Sequence, residues 1–202
     1  MDKQASLSEL QEKTAQAGLP LKESATNLVF GKGNPNAGIL FVGEAPGKFE
    51  DEQGIPFVGK AGQLLDELLH RVGLTLDNIY IANILKYRPP NNREPQPDEI
   101  KTHTPYLIEQ IKIIQPKIIV TLGNYATKFI LGGCAVEGMA AINGITALHG
   151  KEKMAAIAGK EYRVIPMYHP AALMYDRKLM PVAEQDFKNL KGLTEQKILG
   201  AF

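Results

Sequence analysis

Four short runs of apolar, largely β-branched residues punctuate the chain. They are Gly38-Ile39-Leu40-Phe41-Val42, Asn78-Ile79-Tyr80-Ile81-Ala82, Lys117-Ile118-Ile119-Val120-Thr121-Leu122 and Tyr162-Arg163-Val164-Ile165-Pro166-Met167. Their near-continuous apolarity predicts strands covered on both faces, as in a parallel sheet. Between them the apolar positions recur at helical spacing. Leu64, Leu65, Leu68, Leu69 and Val72 mark a helix over 60–72, and Gly73 follows as its stop signal. Further helices are predicted at about 97–115 and 123–131, with others near 5–17 and 182–198. Residues 132–160 are rich in Gly and Ala and show no clear period, so they read as loop with a possible short hairpin. The pattern predicts one three-layer α/β/α domain over residues 1–202, with a mainly parallel four-stranded central sheet. Residues 1–20 form a helical extension packed on it.

Composition narrows the classes of function. With 202 residues the chain can bury a full core. Cys134 is the single cysteine, so no intrachain disulfide is possible, and a cytoplasmic setting is expected. The first residues are polar, with no apolar stretch of signal-peptide length, and no segment approaches the ~20 apolar residues that span a bilayer. No membrane partner is expected. A net charge of +1 is not that of a bulk polycation, so nucleic-acid affinity must rest on a local basic face. Candidates for such a face are Lys86 and Arg88, and Arg177 and Lys178 near the third strand-end motif described next. Most of the remaining charge is solvated surface.

Three segments follow predicted strands directly: Val42-Gly43-Glu44-Ala45-Pro46-Gly47, Asn83-Ile84-Leu85-Lys86-Tyr87-Arg88-Pro89-Pro90 and Tyr168-His169-Pro170-Ala171-Ala172-Leu173. Each breaks into a turn carrying one side chain suited to chemistry. Ligands of open α/β sheets bind at the carboxyl ends of the strands, so Glu44, Asn83 and His169 are candidates to share a pocket. Glu44, between two glycines, can hold a water or stabilise positive charge. Asn83 offers a donor and an acceptor to a planar amide edge, or it simply forms a turn. Phe57 lies between Gly54 and Gly59, where it serves either as a core anchor for the next helix or as a face for a flat ring. His169 can donate to a developing anion. His70, His103, His149 and His169 show no metal-ligand spacing. Neither a G-x-S-x-G elbow nor a P-loop is present.

Taken as a set, these segments resemble the uracil-DNA glycosylase superfamily, and most closely its family four. The resemblance runs from about Gly18 to Leu190. It is carried by Val29 to Pro35, Phe41 to Gly47 with Glu50-Asp51, Gly54 to Gly62, Asn83 to Arg93, and Tyr168 to Leu173. It implies a monofunctional glycosylase that flips uracil out of DNA and hydrolyses its N-glycosidic bond in base excision repair. It further implies catalytic roles for Glu44 and His169, with Gly43, Ala45, Phe57 and Asn83 around the base. Lys86, Arg88, Leu173, Arg177 and Lys178 would meet the DNA, with Leu173 helping to displace the flipped nucleotide. A monomer acting on uracil-containing DNA is expected, nucleoid-associated if the source is prokaryotic. Excision of hypoxanthine or xanthine, or non-catalytic binding of deaminated DNA, are the alternatives.

One departure concerns the cofactor. The family typically holds an iron–sulfur cluster on four cysteines, whose positions fall here near Gln16, Leu19, Tyr87 and His103. None is cysteine, so no cofactor and no metal are expected. Ordinary packing of Leu19, Tyr87 and His103 would then have to make the joint that the cluster makes in relatives.

Overall fold

The computed structural model describes residues 2–195. Six strands form its central sheet: β1 (Lys32–Gly33), β2 (Ile39–Gly43), β3 (Ile79–Asn83), β4 (Ile118–Leu122), β5 (Lys153–Ile157) and β6 (Lys160–Met167). They lie in the order β1-β3-β2-β4-β6-β5. The four strands expected from the sequence are the inner, parallel ones. The two further strands are the edges and both pair antiparallel; β5, at the end of the stretch read as loop with a possible short hairpin, forms a hairpin with β6.

The edge strands lacked a readable signal for local reasons. Strand β1 is two residues long, too short for any period. Strand β5 turns into β6 through Ala158 and Gly159, both at positive φ (49° and 80°). Two left-handed residues make the tight turn that suits a hairpin, but alanine rarely adopts that conformation, so Ala-Gly does not announce it.

Among the described residues, eight α-helices surround the sheet: α1 (Lys3–Gln16), α2 (Lys48–Gln53), α3 (Lys60–Arg71), α4 (Pro97–Ile114), α5 (Gly123–Leu131), α6 (Ile145–Leu148), α7 (Pro170–Tyr175) and α8 (Met180–Glu195). The last residues of the helix expected over 182–198 lie outside the described residues. Helix α4 shows why local sequence sets the boundaries. Pro97 opens it, Gln96 and Glu99 cap each other reciprocally, and Gln115 ends it in the left-handed region just before Pro116.

Strand residues alternate between two cores, as the period of a strand requires. Leu40, Val42, Tyr80, Ala82 and Ile119 join Leu107, Ile111 and Phe129 of α4 and α5 on one face. Ile39, Phe41, Ile79, Ile81 and Val120 join Leu65, Leu68, Phe187 and Leu190 of α3 and α8 on the other. Leu7 of α1 is buried on the first face, and Lys3 Nζ donates to the Ile114 carbonyl at 2.7 Å, seating α1 along α4. Cys134, just past α5, is 6% exposed, and burial pushes its thiol up to about 12.

Candidate active site

Consecutive strands run outward from β2 in opposite directions: β3 lies on one side and β4 on the other. Such a reversal opens a crevice at the carboxyl edge of the sheet. Asn83 is the last residue of β3 and sits in register with Gly43, the last of β2. Glu44 follows Gly43, and His169 comes two residues after β6 ends. A cavity of about 440 Å³ opens there, lined among others by Glu44, Glu50, Phe57, Asn83, Asn92 and His169.

Close approach around this cavity depends on a missing side chain. A Cβ on Gly43 would stand 2.3 Å from Asn83 Oδ1 and 2.9 Å from the Phe57 ring. Glycine is therefore required where strand β2 passes between the amide and the aromatic. Among the described residues, Asn83 Oδ1 is the only buried side-chain nitrogen or oxygen without a hydrogen-bond partner. An acceptor left so costs about 1–3 kcal/mol, and a ligand donor would recover that.

Phe57 sits at the boundary between core and cavity. It is 6% exposed within the core on the α3 side, yet its ring reaches the cavity and lies 5.7 Å from the His169 ring at 36°. Its backbone is left-handed, with φ of 52°, a conformation that a bulky residue holds only when its surroundings impose it. Glu50 supplies the constraint: Oε1 accepts from the Val58 and Gly59 amides at 2.9 and 2.8 Å. Lys32 Nζ adds a bond to the Phe57 carbonyl at 2.9 Å. The neighbouring Asp51 accepts from the Thr26 and Asn27 amides. The clamping roles of Glu50 and Lys32 were not legible in the sequence, since both look like ordinary surface charges.

His169 caps α7, its Nδ1 accepting from the Ala171 amide at 3.2 Å. The proton of the neutral ring therefore sits on Nε2. Burial pushes this imidazole down to about 4, against a smaller upward pull from Glu50. At neutral pH the site thus holds an uncharged ring with one N–H to donate. Across the cavity, burial raises the Glu44 carboxyl above its ordinary range, and the nearby Glu94 charge raises it further. The pair offers one neutral donor and one carboxylate on a shared cavity.

Comparison with known proteins agrees with this geometry. The family model of the uracil DNA glycosylase superfamily matches residues 30–191. This chain belongs to that superfamily. It is 47% identical to the Type-4 uracil-DNA glycosylase of Sulfurisphaera tokodaii over 83% of this chain and 75% of the relative. It is 44% identical to that of Archaeoglobus fulgidus over 88% and 87%. For the Type-4 enzyme of Thermotoga maritima the identity is 40%, over 88% of both chains.

Within this superfamily member the remaining expected residues divide. Ala45 lines the cavity, and Gly43 lies behind it against Asn83 and the Phe57 ring. Arg177 and Lys178 are exposed just beyond α7. Arg88 is half-buried, its Nε donating to Asn92 Oδ1 at 2.7 Å. Two expectations are corrected. Lys86 is 0% exposed, with Nζ bonded to the Asn83 carbonyl and to Gln110 Oε1, so it faces no phosphate. Leu173 is 1% exposed because it turns inward into the core beneath α7. The exposed neighbours on that helix are Met174 at 43% and Tyr175 at 92%.

The cluster positions of the family do not fit a cluster here. Gln16 is exposed at the end of α1, whereas Leu19, Tyr87 and His103 are buried. His103 Nδ1 accepts from the Lys86 amide at 2.9 Å, and its Nε2 donates to the Pro20 carbonyl at 3.1 Å. Both ring nitrogens are therefore engaged. The Tyr87 ring meets the His103 ring edge-on at 6.2 Å. Among the described residues no group of three or more His, Cys, Asp or Glu is placed to hold a metal ion, and no helix is long and apolar enough to cross a membrane.

Proposed function

We propose that the protein excises uracil from DNA by hydrolysing the N-glycosidic bond of an extruded nucleotide, the activity named for its Type-4 relatives. The observation that carries this reading is the unpaired Asn83 Oδ1 on a cavity shared with Phe57, Glu44 and His169. A buried acceptor selects a base with a donor at the facing ring nitrogen. Uracil has an N3–H there; cytosine presents a lone pair, which would leave two acceptors face to face. Phe57 supplies the stacking surface. His169 donates its Nε2–H as negative charge develops on the departing base, and Glu44 offsets the positive sugar and orients the attacking water. Extrusion costs a few kcal/mol and makes the bond accessible.

Among the described residues no lysine lines the cavity, so hydrolysis leaves an abasic site without a Schiff-base intermediate. The test is release of free base from oligonucleotides bearing uracil, hypoxanthine, xanthine or a thymine mismatch, with and without EDTA. Uracil release that persists in EDTA, with no adduct trapped by borohydride, is the expected result. Well-folded protein releasing no uracil from any substrate would sink the reading.

DNA contact on the α7 side passes from Leu173 to its exposed neighbours Met174 and Tyr175, with Arg177 and Lys178 beside them. Removing the two cations should weaken binding and flatten its salt dependence. The joint between the α1–β1 connection, the loop after β3 and α4 is held by Leu19, Tyr87 and His103, without iron. Stoichiometric iron in anaerobically purified protein would overturn that part of the reading.

A further inference from the structure

Lys86 lies within the protein at 0% exposure, and no carboxylate pairs with it among the described residues. Placing an ammonium there is unfavourable by several kcal/mol unless its hydrogens are well used. Two acceptors use them. Nζ donates to the Asn83 main-chain carbonyl at 2.8 Å and to Gln110 Oε1 at 2.5 Å, and it stands 5.9 Å from the centre of the Phe30 ring. Gln110 is itself fixed, its Nε2 donating to the Phe30 carbonyl at 2.9 Å.

The main chain of Lys86 is held just as firmly. Its amide donates to His103 Nδ1 at 2.9 Å, and its carbonyl accepts from the Val29 amide at 2.9 Å. Between Asn83 and Lys86, the Ile84 and Leu85 amides bond to the Gly43 and Glu44 carbonyls, each at 3.0 Å. The lysine side chain therefore reaches back across a segment whose other end carries the recognition amide.

What it grips is the main-chain carbonyl of Asn83. The side-chain oxygen of that residue has no hydrogen-bond partner in the protein, so its direction is set by the close approach of Gly43 and by the main chain from which it projects. Capping the Asn83 carbonyl fixes the plane of the following peptide and, through it, the direction of the side chain. We propose that Lys86 is a positioning residue for base recognition: it clamps the Asn83 carbonyl and thereby aims the Asn83 amide at the edge of the extruded base. The proposal rests on the role given to Asn83 above. Ammonium and neutral amine can both donate to these two acceptors, so the clamp does not depend on its protonation state.

The test is a double-mutant cycle on uracil excision under single-turnover conditions, using Lys86→Met and Asn83→Ala. Methionine keeps the length of the apolar stem and removes the donors. Lys86→Met should lower the maximal rate roughly 10-fold in the wild-type background but less than about 2-fold when Asn83 is already alanine. The DNA concentration giving half-maximal rate should stay unchanged, because the clamp touches no phosphate. Ile114→Ala, at the far end of α4, provides a destabilised control that keeps the wild-type rate below its melting temperature. Should Lys86→Met fail to fold, Gln110→Met, which frees the ammonium from α4, goes through the same cycle. A weaker effect, again abolished by Asn83→Ala, is then expected. Losses that multiply in the double variant, or a wild-type rate in the folded single variant, overturn the proposal. Absence of uracil release by the wild-type protein would instead strike the functional reading beneath it.

Discussion

His103 is fully buried and His169 half-buried where it lines the cavity, and lost hydration pushes each imidazole down to about 4. Both accept a backbone N–H at Nδ1, from Ala171 and from Lys86 respectively. Both therefore carry their proton on Nε2. At His103 that proton meets the Pro20 carbonyl; at His169 it meets no partner among the described residues and faces the cavity. Charge state and tautomer are shared, and only the destination of one N–H differs. A depressed imidazole therefore does not by itself mark a catalytic group. An unfilled donor on a cavity separates the one from the other.

The comparison can be broken most forcefully by removing each ring. His169→Ala should lower the single-turnover rate of uracil release by roughly 10²–10³-fold, as expected for one donor to a developing anion. Its melting temperature should fall by only roughly 2–4 °C, since the one protein bond lost is the Nδ1 cap on the Ala171 amide, worth about 1 kcal/mol. His103→Ala should do the reverse. It strands the Lys86 amide and the Pro20 carbonyl and leaves a void, together costing about 3 kcal/mol. For a domain of this size that lowers Tm by roughly 6–12 °C, while the rate measured well below melting falls far less than in His169→Ala, by at most the roughly 10-fold expected for a loosened Lys86 clamp. A rate collapse in folded His103→Ala would show that the two rings are not separable.

A gentler probe uses pH. Each histidine is protonated more readily in the unfolded chain, at about 6.5, than in the folded protein, at about 4. The unfolded state therefore takes up protons first as pH falls, so stability declines from about pH 6.5 down to about 4. Each ring contributes a slope of about 1.4 kcal/mol per pH unit across that window. Urea titrations over the window should show the slope shrinking by a similar amount in His103→Gln and in His169→Gln. The smallest effect concerns the partner across the cavity. Glu94→Gln removes a negative charge that helps to raise the Glu44 carboxyl, so the acid limb of the pH–rate profile should move to lower pH. A limb that does not move would remove Glu94 from the electrostatics of the site.

The parallel core of the sheet was readable because four strands buried on both faces leave unbroken apolar runs. Helices α3, α4 and α5 were readable because each buries a face at regular spacing. The edges depended on a two-residue pairing and on a left-handed alanine, which no local pattern reveals. Glu44, Asn83 and His169 were legible as residues at the ends of parallel strands, and the fold brings all three to one cavity. Lys86 misled because lysine is almost never buried. Its burial depends on Gln110, 24 residues further along. Leu173 misled because motif position does not say which way a short helix turns. The left-handed backbone of Phe57 and its clamp by Glu50 and Lys32 exist only in three dimensions.

Burial of Cys134 has a consequence for chemical durability. A thiol pushed up to about 12 and almost sealed from solvent holds very little thiolate at neutral pH, and thiolate is the form that oxidants attack. With no second cysteine in the sequence, air should form no internal sulfur bridge. The vulnerable sulfurs are thioethers instead, with Met154 and Met174 at 53% and 43% exposure. Met174 lies five residues past His169, on the helix that His169 caps. Peroxide damage should therefore register first as a polar, stiffened methionine sulfoxide on the helix that His169 caps, repairable by a reductase and invisible to thiol reagents.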